Sequence, residues 1–87
     1  MVVTTARYAK EHGLKPIARV LAVESKGVPA EVMGIGPAYV IPKALEKAGL
    51  TADAIDYYEI NEAFAAQFLA CNRELKLSMD KVNRNGS

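Results

Sequence analysis

With 87 residues the chain makes one domain at most, and a domain of this size buries only about 60–65% of the surface its unfolded form exposes. Apolar residues make up 51% of it, which excludes a disordered tail. The 11 basic and 10 acidic residues are spread along the chain and leave a net charge of +1, so there is no electrostatic footprint for nucleic acid or an anionic membrane.

In chain order, Met1 to Arg7 lacks the apolar core and cleavage site of a secretory signal. No apolar run approaches the roughly eighteen residues that a transmembrane helix needs, so the expected address is the cytoplasm or an organelle matrix. Thr4 or Thr5 can cap a short helix through His12, because a hydroxyl accepts a free first-turn N–H. Gly13 ends that helix by adopting the left-handed conformation. His12, near the helix C-terminus where a cation complements the dipole, reads as structural or solvated. Pro16 to Glu24 is nearly continuously apolar without helical period, which predicts a strand buried on both faces.

Residues 25 to 38 hold three glycines and two prolines and predict a shaped loop. A helix is expected from about Val40 to Ala48, with Pro42 in its first turn, where a missing N–H loses no partner. Gly49 stops it, and Leu50 folds back on Leu45. Thr51 to Asp53 makes a turn, and Ile55 to Ile60 reads as a second strand. A helix from about Glu62 to Leu75 follows, with Phe64, Phe68, Cys71 and Leu75 on one face and alanines around the rest, the pattern of a helix buried between layers. Cys71 is the only cysteine, so an internal disulfide and a Cys-based zinc site are both excluded. Lys81 to Asn83 looks like the start of a third strand. Alternating helices and strands with short connections imply an α/β fold, a mixed sheet with helical crossovers and a buried central helix. Such a helix needs cover on both sides, which the elements of this chain do not supply, so the domain reads as incomplete.

The candidate site is the junction of the second strand and its helix, Glu59 to Gln67, because ligands of open α/β sheets bind outside the carboxyl ends of strands. The Asn61 amide can donate to a carbonyl oxygen or orient a water, which suits stabilisation of developing negative charge. It can equally cap the helix, and residue type alone favours the cap. Glu62 fits a carboxylate favoured by the helix N-terminus.

Asn61-Glu62-Ala63-Phe64 matches a motif of one catalytic loop of thiolases. Met33-Gly34-Ile35-Gly36-Pro37 resembles that family's Met-Gly-x-Gly-Pro turn, and Lys43 to Leu50 the helix after it. Val82 to Ser87 is similar to the strand leading into the family's Gly-His-Pro segment. The matches occur in the family's order and are clearest over residues 13 to 87. The resemblance implies a partial thiolase C-terminal domain over 1–87, in which 1–14 end a preceding connection and 15–87 form the first strands and helices. It implies chemistry on acyl-CoA and 3-ketoacyl-CoA thioesters, by Claisen condensation or thiolytic cleavage. Asn61 would be the catalytic residue, holding a water in the hole that binds the thioester oxygen, and Met33 and Phe64 would line the acyl or pantetheine pocket. No cofactor is implied beyond coenzyme A thioesters as substrates.

The family's nucleophilic cysteine belongs to an earlier region, and its Gly-His-Pro histidine and second cysteine to a later one. Cys71 is expected to be inert packing on an apolar helix face. Catalytic groups act as a unit, so the chain alone is expected to be inactive. Its implied partners are acyl-CoA in a complete enzyme, the remaining thiolase portions, or a second copy in a homo-oligomer. A non-catalytic α/β module that assembles with partner chains is the alternative. Ketoacyl synthases usually carry His where Asn61 stands, which argues against them.

Overall fold

The computed structural model describes all residues, Met1 to Ser87. Helix α1 spans Ala6–Glu11, and the Thr5 hydroxyl accepts the Tyr8 N–H at 3.1 Å, as expected of an N-cap. Gly13, at φ +63°, turns the chain out of the helix, and the Leu14 N–H closes the end on the Ala9 carbonyl at 2.8 Å. His12 stacks on the Tyr8 ring at 3.9 Å between centroids, and its Nδ1 donates to the Tyr8 carbonyl at 3.0 Å. The ring closes its own helix and points to no site.

The strand expected over Pro16–Glu24 does not form. No backbone hydrogen bond joins residues 15–28 to another segment, and Ile17, Val20, Leu21 and Val23 are exposed. A strand's N–H and C=O groups need a neighbouring strand, and none lies alongside this segment. One polar tie holds it: Lys47 Nζ, on the next helix, lies 2.7 Å from the Glu24 carboxylate and donates to the Val23 carbonyl at 3.1 Å. The open segment swells the molecule, whose radius of gyration of 15.5 Å exceeds the roughly 12 Å of a compact chain this long.

Two 3₁₀ turns over Ala30–Ile35, meeting at a kink at Val32, lead straight into helix α2, Gly36–Ala48. The helix begins earlier than expected because Pro37 takes the first-turn position that suits a fixed φ and a missing N–H. Pro42 is therefore not in the first turn, as expected from the sequence, but inside the helix, where it withholds one backbone donor. Gly49, at φ +69°, ends α2, and the Leu50 N–H returns to the Leu45 carbonyl at 2.9 Å.

The mixed sheet is reduced to a single parallel bridge between Tyr58 and Val82. The Tyr58 N–H donates to the Lys81 carbonyl at 2.7 Å and the Asn83 N–H to the Tyr58 carbonyl at 3.0 Å. The chain brings only these two short segments side by side, so no ladder propagates. The side-chain alternation of a strand is still present: Tyr58 and Ile60 are buried, while Tyr57, Glu59 and Asn61 are exposed. Tyr58, Ile60 and Val82 pack with Phe68 to form the core, bordered by Ile41, Ile55 and Leu77. The Tyr58 hydroxyl donates to the Ala52 carbonyl at 3.1 Å, and its pKa is raised by burial and by the nearby Asp53 carboxylate.

Helix α3 spans Ala65–Leu75 and buries Phe68 and Cys71 as expected. Phe64 does not belong to that face. It stands at the N-cap position with extended φ and ψ of −144° and 140°, and is 73% exposed. Lys76, at φ +54°, ends α3, where the Asn72 side chain accepts the Leu77 N–H at 3.1 Å. No helix is long and apolar enough to cross a membrane.

Candidate functional site

The loop from Ile60 to Phe64 joins the bridge to α3. Asn61 is exposed and its side chain makes no hydrogen bond within the chain. It caps nothing, because α3 starts only at Ala65 and its N-cap position is Phe64. The same offset removes Glu62 from the helix end. The backbone on either side of Asn61, by contrast, is tied down. The Ile60 N–H donates to Asn83 Oδ1 at 2.8 Å, and Asn83 Nδ2 donates back to the Ile60 carbonyl at 2.8 Å. The Glu62 N–H donates to the Ser87 hydroxyl at 3.1 Å. With two of its N–H groups engaged sideways, this stretch stays out of the helix that the sequence pattern suggested.

Met33 lies in the 3₁₀ segment before α2 and is 73% exposed. The residue after it fixes where that segment rests. The Gly34 carbonyl accepts the Cys71 S–H at 3.3 Å, and the Gly34 Cα faces the Gln67 side chain. The Met33 turn is thereby docked on the first turns of α3, the helix that Phe64 leads into. Cys71 is fully buried and spends its proton on that carbonyl, which is packing. Gln67 donates weakly to Cys71 Sγ at 3.7 Å, and its own Oε1 is buried without a partner.

Two surface grooves lie away from Asn61, Met33 and Phe64. One, of about 370 Å³, runs between α2 and α3 and is lined by Ile41, Pro42, Leu45, Leu50, Leu75 and Leu77. The other lies at Tyr57, Arg84 and Asn85. No three His, Cys, Asp or Glu side chains converge as metal ligands. Motif resemblance singled out Asn61, Met33 and Phe64, and its motifs included Gly34, Asn83 and Ser87, but not the contacts by which Asn83 and Ser87 hold the Asn61 backbone and Gly34 rests on α3. An asparagine placed where a strand must stop, as Asn83 is, was the one available signal, since Asn tolerates the left-handed conformation.

The site is thus a loop bearing Asn61 between an isolated parallel bridge and α3, with the Gly34 turn docked on that helix. Residues 14–87 match the family described as thiolase, C-terminal domain, and the chain belongs to the thiolase family. An acetyl-CoA acetyltransferase of Syntrophomonas wolfei is 51% identical over 88 residues, spanning 99% of this chain and 22% of that protein. The structure of human mitochondrial 3-ketoacyl-CoA thiolase in complex with CoA superposes with a TM-score of 0.92 at 43% identity, covering 94% of this chain and 21% of that one. The dimeric peroxisomal thiolase of Saccharomyces cerevisiae does so with a TM-score of 0.88 at 48% identity, over 92% of this chain and 20% of that one. The chain thus spans about a fifth of the length of these relatives.

Proposed function

We propose that these 87 residues serve a thiolase-type acyltransferase acting on acyl-CoA and 3-ketoacyl-CoA thioesters, and that Asn61 is the group they contribute to the chemistry. The single observation that carries this is the contrast at Asn61: its amide is unengaged while the backbone on both sides is held. An amide kept in place yet free to donate is suited to holding a water against the thioester oxygen as negative charge develops there. The Asn83 and Asn72 amides, by contrast, are engaged inside the chain.

Met33 and Phe64 are then pocket residues. Each is a large apolar side chain left exposed beside a fixed turn, ready to meet an acyl or pantetheine chain. The nucleophile is supplied from outside residues 1–87, because the only cysteine is buried against Gly34. The chain alone therefore turns over nothing. Residues 15–87 form a partial C-terminal domain, preceded by a connection over 1–14. The segments 16–24 and 55–60 enter a mixed sheet when neighbouring strands from the remaining thiolase portions, or from a second copy, cover them. The exposed apolar side chains of the first segment, Ile17, Val20, Leu21 and Val23, support this.

The test is a chimera in which residues 1–87 replace the matching stretch of the Syntrophomonas wolfei enzyme, assayed for thiolysis of acetoacetyl-CoA. Turnover near that of the parent is expected, and Asn61→Ala should lower kcat by about 10²–10³, the usual loss of one such donor. A folded Asn61→Ala chimera with undiminished turnover would overturn the role of Asn61.

A further inference from the structure

In a regular parallel pair the partner of Ile60 would be the backbone two residues beyond the Lys81 carbonyl and Asn83 N–H that pair with Tyr58, namely the carbonyl of 83 and the N–H of 85. That backbone is not there. Asn83 turns left-handed at φ +47°, and the chain closes a turn in which the Gly86 N–H donates to the Asn83 carbonyl at 3.0 Å. The Asn83 side chain takes over instead. Its Oδ1 stands where the missing carbonyl would accept, and its Nδ2 where the missing N–H would donate, both at 2.8 Å from Ile60. One residue thus fills two successive steps of the ladder, the first with its backbone and the second with its amide.

The consequence falls on the next residue. With Ile60 held in strand geometry and its side chain buried in the core, Asn61 must project to the opposite, open side. Losing the amide leaves Ile60 with an unpaired N–H and carbonyl and frees the peptide that aims Asn61. We propose that Asn83 is a positioning residue for Asn61, an inference that rests on the role given above to Asn61.

Two substitutions isolate the amide. Asn83→Gly accepts the positive φ but removes both hydrogen bonds. Asn83→Asp keeps the acceptor and replaces the donor with a negative charge facing the Ile60 carbonyl. In the Syntrophomonas wolfei chimera, each is expected to lower kcat for acetoacetyl-CoA thiolysis by about 10- to 100-fold per folded enzyme, the scale of a small misplacement. KM should change by no more than about threefold, since substrate contacts are untouched. In the Asn61→Ala background, Asn83→Gly should cause no further loss of kcat, because the group it positions is gone. An equal loss in both backgrounds would make Asn83 a structural residue acting independently and overturn the proposal. So would an unchanged kcat in Asn83→Gly while Asn61→Ala is impaired. Full activity of Asn61→Ala itself would instead remove the reading on which the proposal stands. Should Asn83→Gly fail to fold, the same comparison with Asn83→Asp, which differs by one atom, decides it.

Discussion

Gly34 and Gln67 are in such close contact that a Cβ on the glycine would lie 2.8 Å from Gln67 Cγ and 3.3 Å from its Cβ. The glycine is needed for proximity, since its φ is open to any residue. Gly34→Ala should push the Met33 turn off α3 and destabilise the fold by about 1–3 kcal/mol, the usual cost of overpacking. The added Gln67→Ala removes the obstacle and should restore part of the loss. Thermal melts of the chimera and a double-mutant cycle measure this, and a strictly additive pair would contradict the contact.

Glu24 and Lys47 supply a pH-dependent tie. The hydrogen bond from Lys47, and then its charge, hold the Glu24 carboxyl below its ordinary pKa of 4.5. A depressed folded pKa means that the tie contributes fully above 4.5 and is lost as pH falls through the lowered value. Both side chains reach solvent, so salt should weaken it. An NMR titration of the Glu24 side chain should give a midpoint below 4.5, which Lys47→Gln returns towards the ordinary value. An unmoved midpoint in that variant would contradict the pairing.

The isolated 87 residues should self-associate. Ile17, Val20, Leu21, Val23, Met33 and Phe64 all face solvent, beyond what a stable monomer normally leaves open. Sedimentation velocity is expected to show species heavier than the 9.4 kDa monomer. A monodisperse monomer with a sharp cooperative melt would show that this surface needs no cover.

What the sequence revealed and what it concealed divide along the distance between partners. Thr5, Gly13 and Gly49 act on their own helix ends, and each was readable where it stands. The burial of Phe68 and Cys71 followed from residue pattern in the same way. The start of α3 did not, because Ile60 and Glu62 are held by Asn83 and Ser87, residues 23 and 25 positions away. An apolar run such as Pro16–Glu24 signals burial, but only a neighbour makes it a strand. Pro42 misled because Pro37 already provides the first turn. At the site, motif resemblance singled out the loop, while the contacts that hold it leave no local periodicity to detect.

The most direct measurement is kcat of the Asn61→Asp chimera in acetoacetyl-CoA thiolysis. Aspartate is nearly the same size as asparagine but is acceptor-only when ionised, and it puts negative charge where negative charge must develop. If Asn61 holds the water that meets the thioester oxygen, Asn61→Asp should turn over at least as slowly as Asn61→Ala, about 10²–10³ below the parent, with an unchanged melt. Full activity with aspartate at this position would contradict the account.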